Sequence, residues 1–181
     1  RRNVSDRQKR EHPLLDLLIT DGLVVDGSGS PGFHAAVGVS DEHVSIHRGD
    51  VSRLEAARVI DATGQVVCPG FIDLHSHAGL TILGAPHHDP KVRQGVTTEA
   101  IGMDGLSYAP TSPANLELLL VYLAAVNGTP PPDVRWSSVK EFLDLFDRRV
   151  SCNVGYFLPH AAIRVEAMGW EARLPTEAEL S

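Results

Sequence analysis

Apolar and polar positions along this chain follow two rhythms. From Leu14 to about Val67 they form short runs broken by Gly and Asp. LLDLLIT stops at Asp21-Gly22, and LVVDGSGSPG carries a strand into a flexible turn. AAVGVSDEHVSIHRGD predicts a hairpin around Asp41-Glu42, and ARVIDATGQVV predicts another bent at Thr63-Gly64. Alternation with such breaks reads as half-buried antiparallel strands. These strands are too few to close a sandwich unaided, so residues 15–67 are expected to be part of a small β-sandwich that draws strands from elsewhere.

After Cys68 the rhythm becomes strand, loop, helix. VVCPGFIDLH leads into and contains a strand, PKVRQG predicts a short helix ended by Gly95, and VTTEAIG predicts the next strand. SPANLELLLVYLAAVNG predicts a helix that is apolar on most sides and therefore mostly buried. GTPPPD is a linker. Ser138 and Glu141 have capping-box spacing for a helix whose Val139, Phe142, Leu143 and Phe146 line one face. SCNVGYFL predicts a third strand, and Pro175-Thr176 with Glu179 predicts another helix start. Strands alternating with helices define an α/β class with a parallel sheet covered by helices. A complete (β/α)8 barrel takes about 250 residues. Residues 68–181 are therefore expected to supply the first three to four βα units of a TIM-like barrel, as the N-terminal piece of a longer protein.

Composition narrows the function classes. Hydrophobic residues make up 43% and charged residues 22% of the 181, enough for a sizeable core. The first fourteen residues carry five Lys or Arg and two Asp or Glu, a local charge of +3, so with −7 over the whole chain the rest carries −10. Residues 1–14 are expected to be a disordered basic tail, and the acidic remainder argues against a nucleic-acid partner. The tail lacks the apolar stretch of a signal peptide. No run approaches the ~20 apolar residues of a membrane span, which argues against a membrane partner. Cys68 and Cys152 give no disulfide framework, which makes a reducing, cytoplasmic setting the default. Each is expected to be a small core residue.

Candidate chemistry is concentrated in PGFIDLHSH. On a strand, residues two apart project to one face, so Asp73, His75 and His77 are expected to share a side and Ile72, Leu74 and Ser76 the other. Two imidazoles held this way can reach one ion at roughly 2.0 to 2.1 Å. In parallel barrels the C-terminal strand ends carry the active site, and His75 and His77 fall there. The other histidines lack this context. His12, His34, His43 and His47 are expected in the tail or hairpins at the surface. His87-His88-Asp89, between Pro86 and Pro90, is expected to be a solvated loop, the alternative being one that overhangs the site.

At these residues the sequence resembles the amidohydrolase superfamily, and within it the N-acyl-D-amino-acid deacylase (D-aminoacylase) branch. The stretches that carry the resemblance are VVDGSGSPG, VIDATGQVVCPGFIDLHSHAG, VRQGVTTEAIGMDGLSYAP and NVGYFLPHAAIR. The resemblance implies a (β/α)8 barrel with a small β-sandwich assembled from both ends of the chain. It implies Zn2+, one or two ions, with His75 and His77 as ligands from the first strand. D-aminoacylases bridge their metals with the cysteine of Gly-Asn-Cys-Gly. Here the stretch is Gly102-Met103-Asp104-Gly105, which puts Asp104 in that place. A carboxylate can bind or bridge an ion, though as a harder ligand it changes metal preference. Alternatively, Asp104 stays clear of the metal and leaves a single-ion site.

Three further residues are candidates. Asp73 is expected to orient the strand end or a ligand. His160, ending the third strand, is either a substrate-pocket contact or a hydrogen-bonded structural histidine. Tyr108 either lines the pocket or packs beneath the loop. The implied activity is hydrolysis of a non-peptide amide C–N bond, with a small N-acyl amino acid as substrate. The catalytic aspartate and further histidines are expected beyond Ser181, so this chain alone is expected to bind metal poorly and to catalyse nothing. The alternatives are a cyclic ureide or imide amidohydrolase (dihydropyrimidinase- or dihydroorotase-like), or a non-catalytic truncated paralogue.

Overall fold

The computed structural model describes residues 14–180. The expected basic tail therefore lies, apart from Leu14, outside the described residues. Among the described residues no helix is long and apolar enough to cross a membrane. The chain divides into two compact units, 1–69 and 70–181.

The first unit holds strands β1 (Leu17–Thr20), β2 (Leu23–Val24), β3 (Phe33–His34), β4 (Ala36–Ser40), β5 (His43–His47), β6 (Val59–Asp61) and β7 (Val66–Val67). They form a four-stranded sheet, β5-β4-β1-β6, and a three-stranded sheet, β3-β2-β7. Leu15, Leu18 and Ala36 make a small buried cluster, with Val51, Leu54 and Ala56 packed against it. The β4–β5 hairpin turns at Asp41-Glu42 as the alternation predicts, with Ala36 opposite His47 and Ser40 opposite His43.

The expected hairpin at Thr63-Gly64 does not form. β6 pairs parallel with β1, whereas β7 pairs parallel with β2 in the other sheet. The breaks at Asp21-Gly22 and Ala62–Gln65 are corners where two neighbouring segments change sheets together. Ala62 N–H donates to the Thr20 carbonyl and Leu23 N–H to the Gln65 carbonyl across the paired corners. Asp21 and Gly64 take the positive φ that hairpin turns also use, so turn chemistry alone does not separate the two outcomes. Gly22 permits the corner: a Cβ there would lie 2.5 Å from Val67 Cγ2.

The second unit is α/β. Its parallel sheet has the order β10-β9-β8, with β8 (Phe71–Ser76), β9 (Val96–Ile101) and β10 (Asn153–Tyr156). Between and after the strands lie α1 (Gly79–Gly84), α2 (Asp89–Val92), α3 (Pro113–Asn127), α4 (Val139–Asp144) and α5 (His160–Met168). Sequence reading missed α1: GLTILG is one and a half turns framed by glycines, with little intrinsic helix signal. Its Leu80 and Ile82 are nonetheless fully buried. They join Ile101, Tyr108, Leu116, Leu119, Leu123, Trp136, Phe142 and Phe146 in the core.

Local chemistry fixes the helix ends. The Ser138–Glu141 capping box forms as its spacing predicts. The Ser138 and Ser137 N–H groups hold the Glu141 carboxyl down at about 2. Ser112 caps α3, Pro113 opens it and Gly128 ends it. Glu166 of α5 adds a second cap, accepting from Ser112 N–H at 2.6 Å and from the Asn115 amide at 2.9 Å. Helix α3 corrects an expectation. Leu116, Leu119 and Leu123 are buried, but Val121 is 81% exposed, and Leu118, Tyr122 and Val126 are also exposed. Its all-round apolar pattern meets a packing layer on one side only among the described residues. Cys152 is buried, whereas Cys68 is exposed, against the expectation of a core position.

Candidate metal centre

The end of β8 does not alternate as a plain strand. Asp73 pairs with Glu99 and Ser76 with Ile101, so three steps on β8 face two on β9. The extra residue is a bulge, which resets which side chains share a face. Asp73 and Ser76 consequently meet one polar cluster, while His75 and His77 meet Asp104. The expectation that Asp73 shares the histidines' side is corrected by this bulge.

Glu99 is the centre of the first cluster and is fully buried. Its carboxylate accepts from Ser76 Oγ at 2.6 Å and lies 2.9 Å from His88 Nε2 and 3.6 Å from Lys91 Nζ. Lys91 also pairs with Asp73, whose Oδ1 accepts the His75 N–H at 3.0 Å. The Lys91 ammonium, and then the His75 N–H, hold the Asp73 carboxyl below its ordinary value. The same contact with Asp73, against desolvation and with help from Glu99, raises Lys91. The backbone of His75 and the side chain of Ser76, between the two histidines, are thus both tied down. His88 is buried in this cluster and is not part of a solvated loop. It begins α2 at positive φ between two prolines, a pattern that reads locally as a turn. Ser76, Glu99, His88 and Lys91 were missed, and the available signal was the lone charge in VTTEAIG.

Asp104 is presented by a tight turn. Gly102, at φ 87°, leads into a 3-10 turn over Met103–Gly105, and Asp104 itself sits at φ 57°. Asp tolerates this left-handed region better than most residues. A Cβ on Gly102 would lie 2.2 Å from the Phe157 carbonyl oxygen, so only glycine fits the approach. The turn brings Asp104 Oδ2 to 3.1 Å from His75 Nε2 and 3.4 Å from His77 Nε2. One nitrogen or oxygen from each of the three residues lies within 4.8 Å of the other two.

His77 has a further partner. Its Nδ1 lies 3.0 Å from Oδ1 of Asn127, the last residue of α3, and the Asn127 amide donates to the Leu106 carbonyl at 3.3 Å. Asn127 was not singled out from the sequence, where it reads only as the polar end of an apolar helix. Tyr108 is buried in the core against Trp136 and Phe142, which is the packing alternative. Its hydroxyl has no hydrogen-bond partner among the described residues. Burial pushes it up to about 12, with the neighbouring Asn127 side chain pulling the other way. His160 does not end a strand. It lies past β10 as the first residue of α5, exposed, with its Cβ 3.2 Å from where a Gly105 side chain would begin.

The donor set suits a small divalent cation. Ligands about 2.0 to 2.2 Å from a tetrahedral ion stand roughly 3.3 to 3.6 Å apart. The two separations from Asp104, 3.1 and 3.4 Å, match this to within a few tenths of an ångström, and the two imidazole donors lie within 4.8 Å of each other. The side chains of His75 and Asp104 are more than half exposed, so the cluster opens to solvent on one side.

Parallel βα units with two imidazoles and a carboxylate gathered at the strand ends define a class: α/β proteins with a cation-ready centre. The sequence profile of the amidohydrolase family matches residues 58–174, and the chain belongs to that family. It is 36% identical over 166 residues to an N-acyl-D-glutamate deacylase of Alcaligenes xylosoxydans xylosoxydans, a match covering 91% of this chain and 33% of that protein. Among solved structures, it matches the N-acyl-D-glutamate deacylase from Bordetella bronchiseptica complexed with zinc and a phosphonate mimic of the tetrahedral intermediate. That match has a TM-score of 0.75 at 33% identity, over 92% of this chain and 34% of the other. A D-aminoacylase with a binuclear metal centre matches with a TM-score of 0.75 at 32% identity, over the same shares. The chain spans about a third of the length of these relatives.

Proposed function

We propose that the chain is the N-terminal portion of a metal-dependent amidohydrolase that cleaves the amide C–N bond of an N-acyl-D-amino acid. The observation that carries this reading is the convergence of His75 Nε2, His77 Nε2 and Asp104 Oδ2 at the ends of adjacent parallel strands. The 32–36% identity to deacylases supports the substrate class over a cyclic ureide or imide. On this reading β8, β9 and β10 begin a (β/α)8 barrel, and the first unit is part of a β-sandwich. Ile72 and Leu74, each 63% exposed, support it: strands on a barrel's inner face would leave such side chains open until further strands close over them. The unpaired thiols of Cys68 and Cys152 suit a reducing, cytoplasmic setting.

His75, His77 and Asp104 are the residues that would hold the ion, with zinc favoured by the two nitrogen donors. Zinc bound there would lower the pKa of a coordinated water towards ~7 and polarise an amide carbonyl. The chain's own contribution is positional. Glu99, through Ser76, and Asp73, through the His75 N–H, hold the strand end. The Gly102 turn holds Asp104. The proton-transferring carboxylate is assigned to sequence beyond this chain.

Two measurements test the reading. Calorimetric titration of the chain with ZnCl2 should give weak but saturable binding that His75→Ala, His77→Ala and Asp104→Ala each weaken further. The complete gene product should hydrolyse N-acetyl-D-amino acids faster than their L-enantiomers or hydantoins. No zinc binding, or preferential turnover of hydantoins, would reject it.

A further inference from the structure

We infer that Asn127 is a positioning residue that sets the tautomer of His77, an assignment that rests on the reading of His77 as a metal ligand. A neutral imidazole carries one proton on either of its two nitrogens, and only the bare nitrogen can bind a cation. Which nitrogen is bare is decided by what the other one meets.

The local contacts leave one self-consistent assignment. The Leu106 carbonyl can only accept, so the Asn127 group facing it at 3.3 Å is the NH2. The Asn127 oxygen is then the atom 3.0 Å from His77 Nδ1, and because that oxygen can only accept, Nδ1 carries the proton. The lone pair is left on Nε2, the nitrogen 3.4 Å from Asp104 Oδ2. A carbonyl on one loop thus selects the metal-facing nitrogen of a histidine on another, with one amide between them.

The fold makes this amide rigid. Asn127 is 4% exposed, so water does not compete for its hydrogen bonds. It ends α3, where Gly128 takes φ 76° and approaches α1 so closely that a Cβ would lie 2.6 Å from Thr81 Cγ2. Helix α1 begins two residues after His77, with Ala78 N–H donating to Ser76 Oγ at 3.1 Å. The docking of α3 onto α1 therefore fixes both partners of the contact.

The test reads the tautomer directly. Long-range 1H–15N correlation of the histidine rings in the metal-free chain, at a pH well above the imidazole range, should show His77 protonated at Nδ1. Asn127→Ala should turn this into a mixture and weaken zinc binding by about tenfold or more, the usual cost of losing a histidine's outer partner. Asn127→Asp keeps an acceptor for Nδ1 and should restore the tautomer, at a cost in stability because its second oxygen then faces the Leu106 carbonyl. His77 protonated at Nε2 in the wild-type chain would overturn the assignment whatever the variants do. So would an Asn127→Ala variant with tautomer and affinity unchanged. If the tautomer responds as described but no form binds zinc, the Asn127 assignment stands and the metal reading falls.

Discussion

Removing the buried Glu99 carboxylate tests the architecture of the site most directly. Glu99 is fully buried and faces a hydroxyl at 2.6 Å, an imidazole at 2.9 Å and an ammonium at 3.6 Å. Glu99→Ala leaves all three facing a void. Truncating one partner of a buried charge cluster costs about 3 to 5 kcal/mol. Glu99→Gln is milder, because the side chain keeps its volume and a rotatable Ser76 hydroxyl can accept from the new NH2. Lys91 also retains Asp73. The loss is then mainly that of a charge-assisted hydrogen bond, about 1.5 to 3 kcal/mol. Ser76→Ala removes a single hydroxyl contact and should cost about 1 kcal/mol.

The assay is urea unfolding followed by far-UV circular dichroism, with unchanged m-values as the check that the variants unfold alike. The expected order of loss is Ala at 99, then Gln at 99, then Ala at 76. Zinc affinity should follow the same order, because Ser76 stands between His75 and His77 and the bulge that aims both rings depends on it. A Glu99→Ala chain within about 1 kcal/mol of wild type would show that the cluster does not anchor the strand end. Lost stability with unchanged zinc affinity would separate the cluster from the metal centre.

Other outcomes follow from single contacts. Gly102→Ala should destabilise by about 2 kcal/mol or more in the same urea assay, since it combines a positive φ with a Cβ 2.2 Å from the Phe157 carbonyl. Leu123→Ala, in the buried stripe of α3, should cost about 2 to 5 kcal/mol, whereas Val121→Ala on the exposed side should change stability by under about 0.5 kcal/mol. In acid, the Glu141 cap should lose its contribution. Its folded value, about 2, is below the ordinary 4.5, so the stabilisation is present above pH 4.5 and disappears as pH falls towards 2. Glu166 acts in the same direction, burial being outweighed by bonds from Ser112, Asn115 and Thr111. Glu141→Gln should flatten the acid limb of a plot of urea midpoint against pH. Asp104→Cys replaces a hard oxygen with a soft thiolate and should strengthen zinc binding relative to magnesium or manganese, read by competition titration.

What the sequence disclosed, and what it withheld, divides along a physical line. Features encoded within a few residues were readable: the capping box at Ser138 and Glu141, the hairpin at Asp41-Glu42, the βα alternation and the His75–His77 pair. Asp104 was readable only through resemblance, because nothing in Gly-Met-Asp-Gly taken alone says which strand end it will face. The missed features are those in which a local pattern is consistent with two tertiary outcomes. The corner at Thr63-Gly64 uses the residues of a hairpin. His88 between prolines reads as a loop until Glu99 buries it. Asn127 reads as the frayed polar end of an apolar helix until α1 brings His77 against it.

The β8 bulge is the most instructive of these. Strict alternation would put Asp73 beside the histidines, where a second carboxylate would compete with Asp104 for the ion. One extra residue instead sends Asp73 to Lys91 and Ser76 to Glu99, so the charges that anchor the strand are kept apart from the donors that face the cation. No propensity in FIDLHS marks that residue. The signal lies in Glu99, a charge on the neighbouring strand that could be buried only if β8 turned its polar side chains towards it.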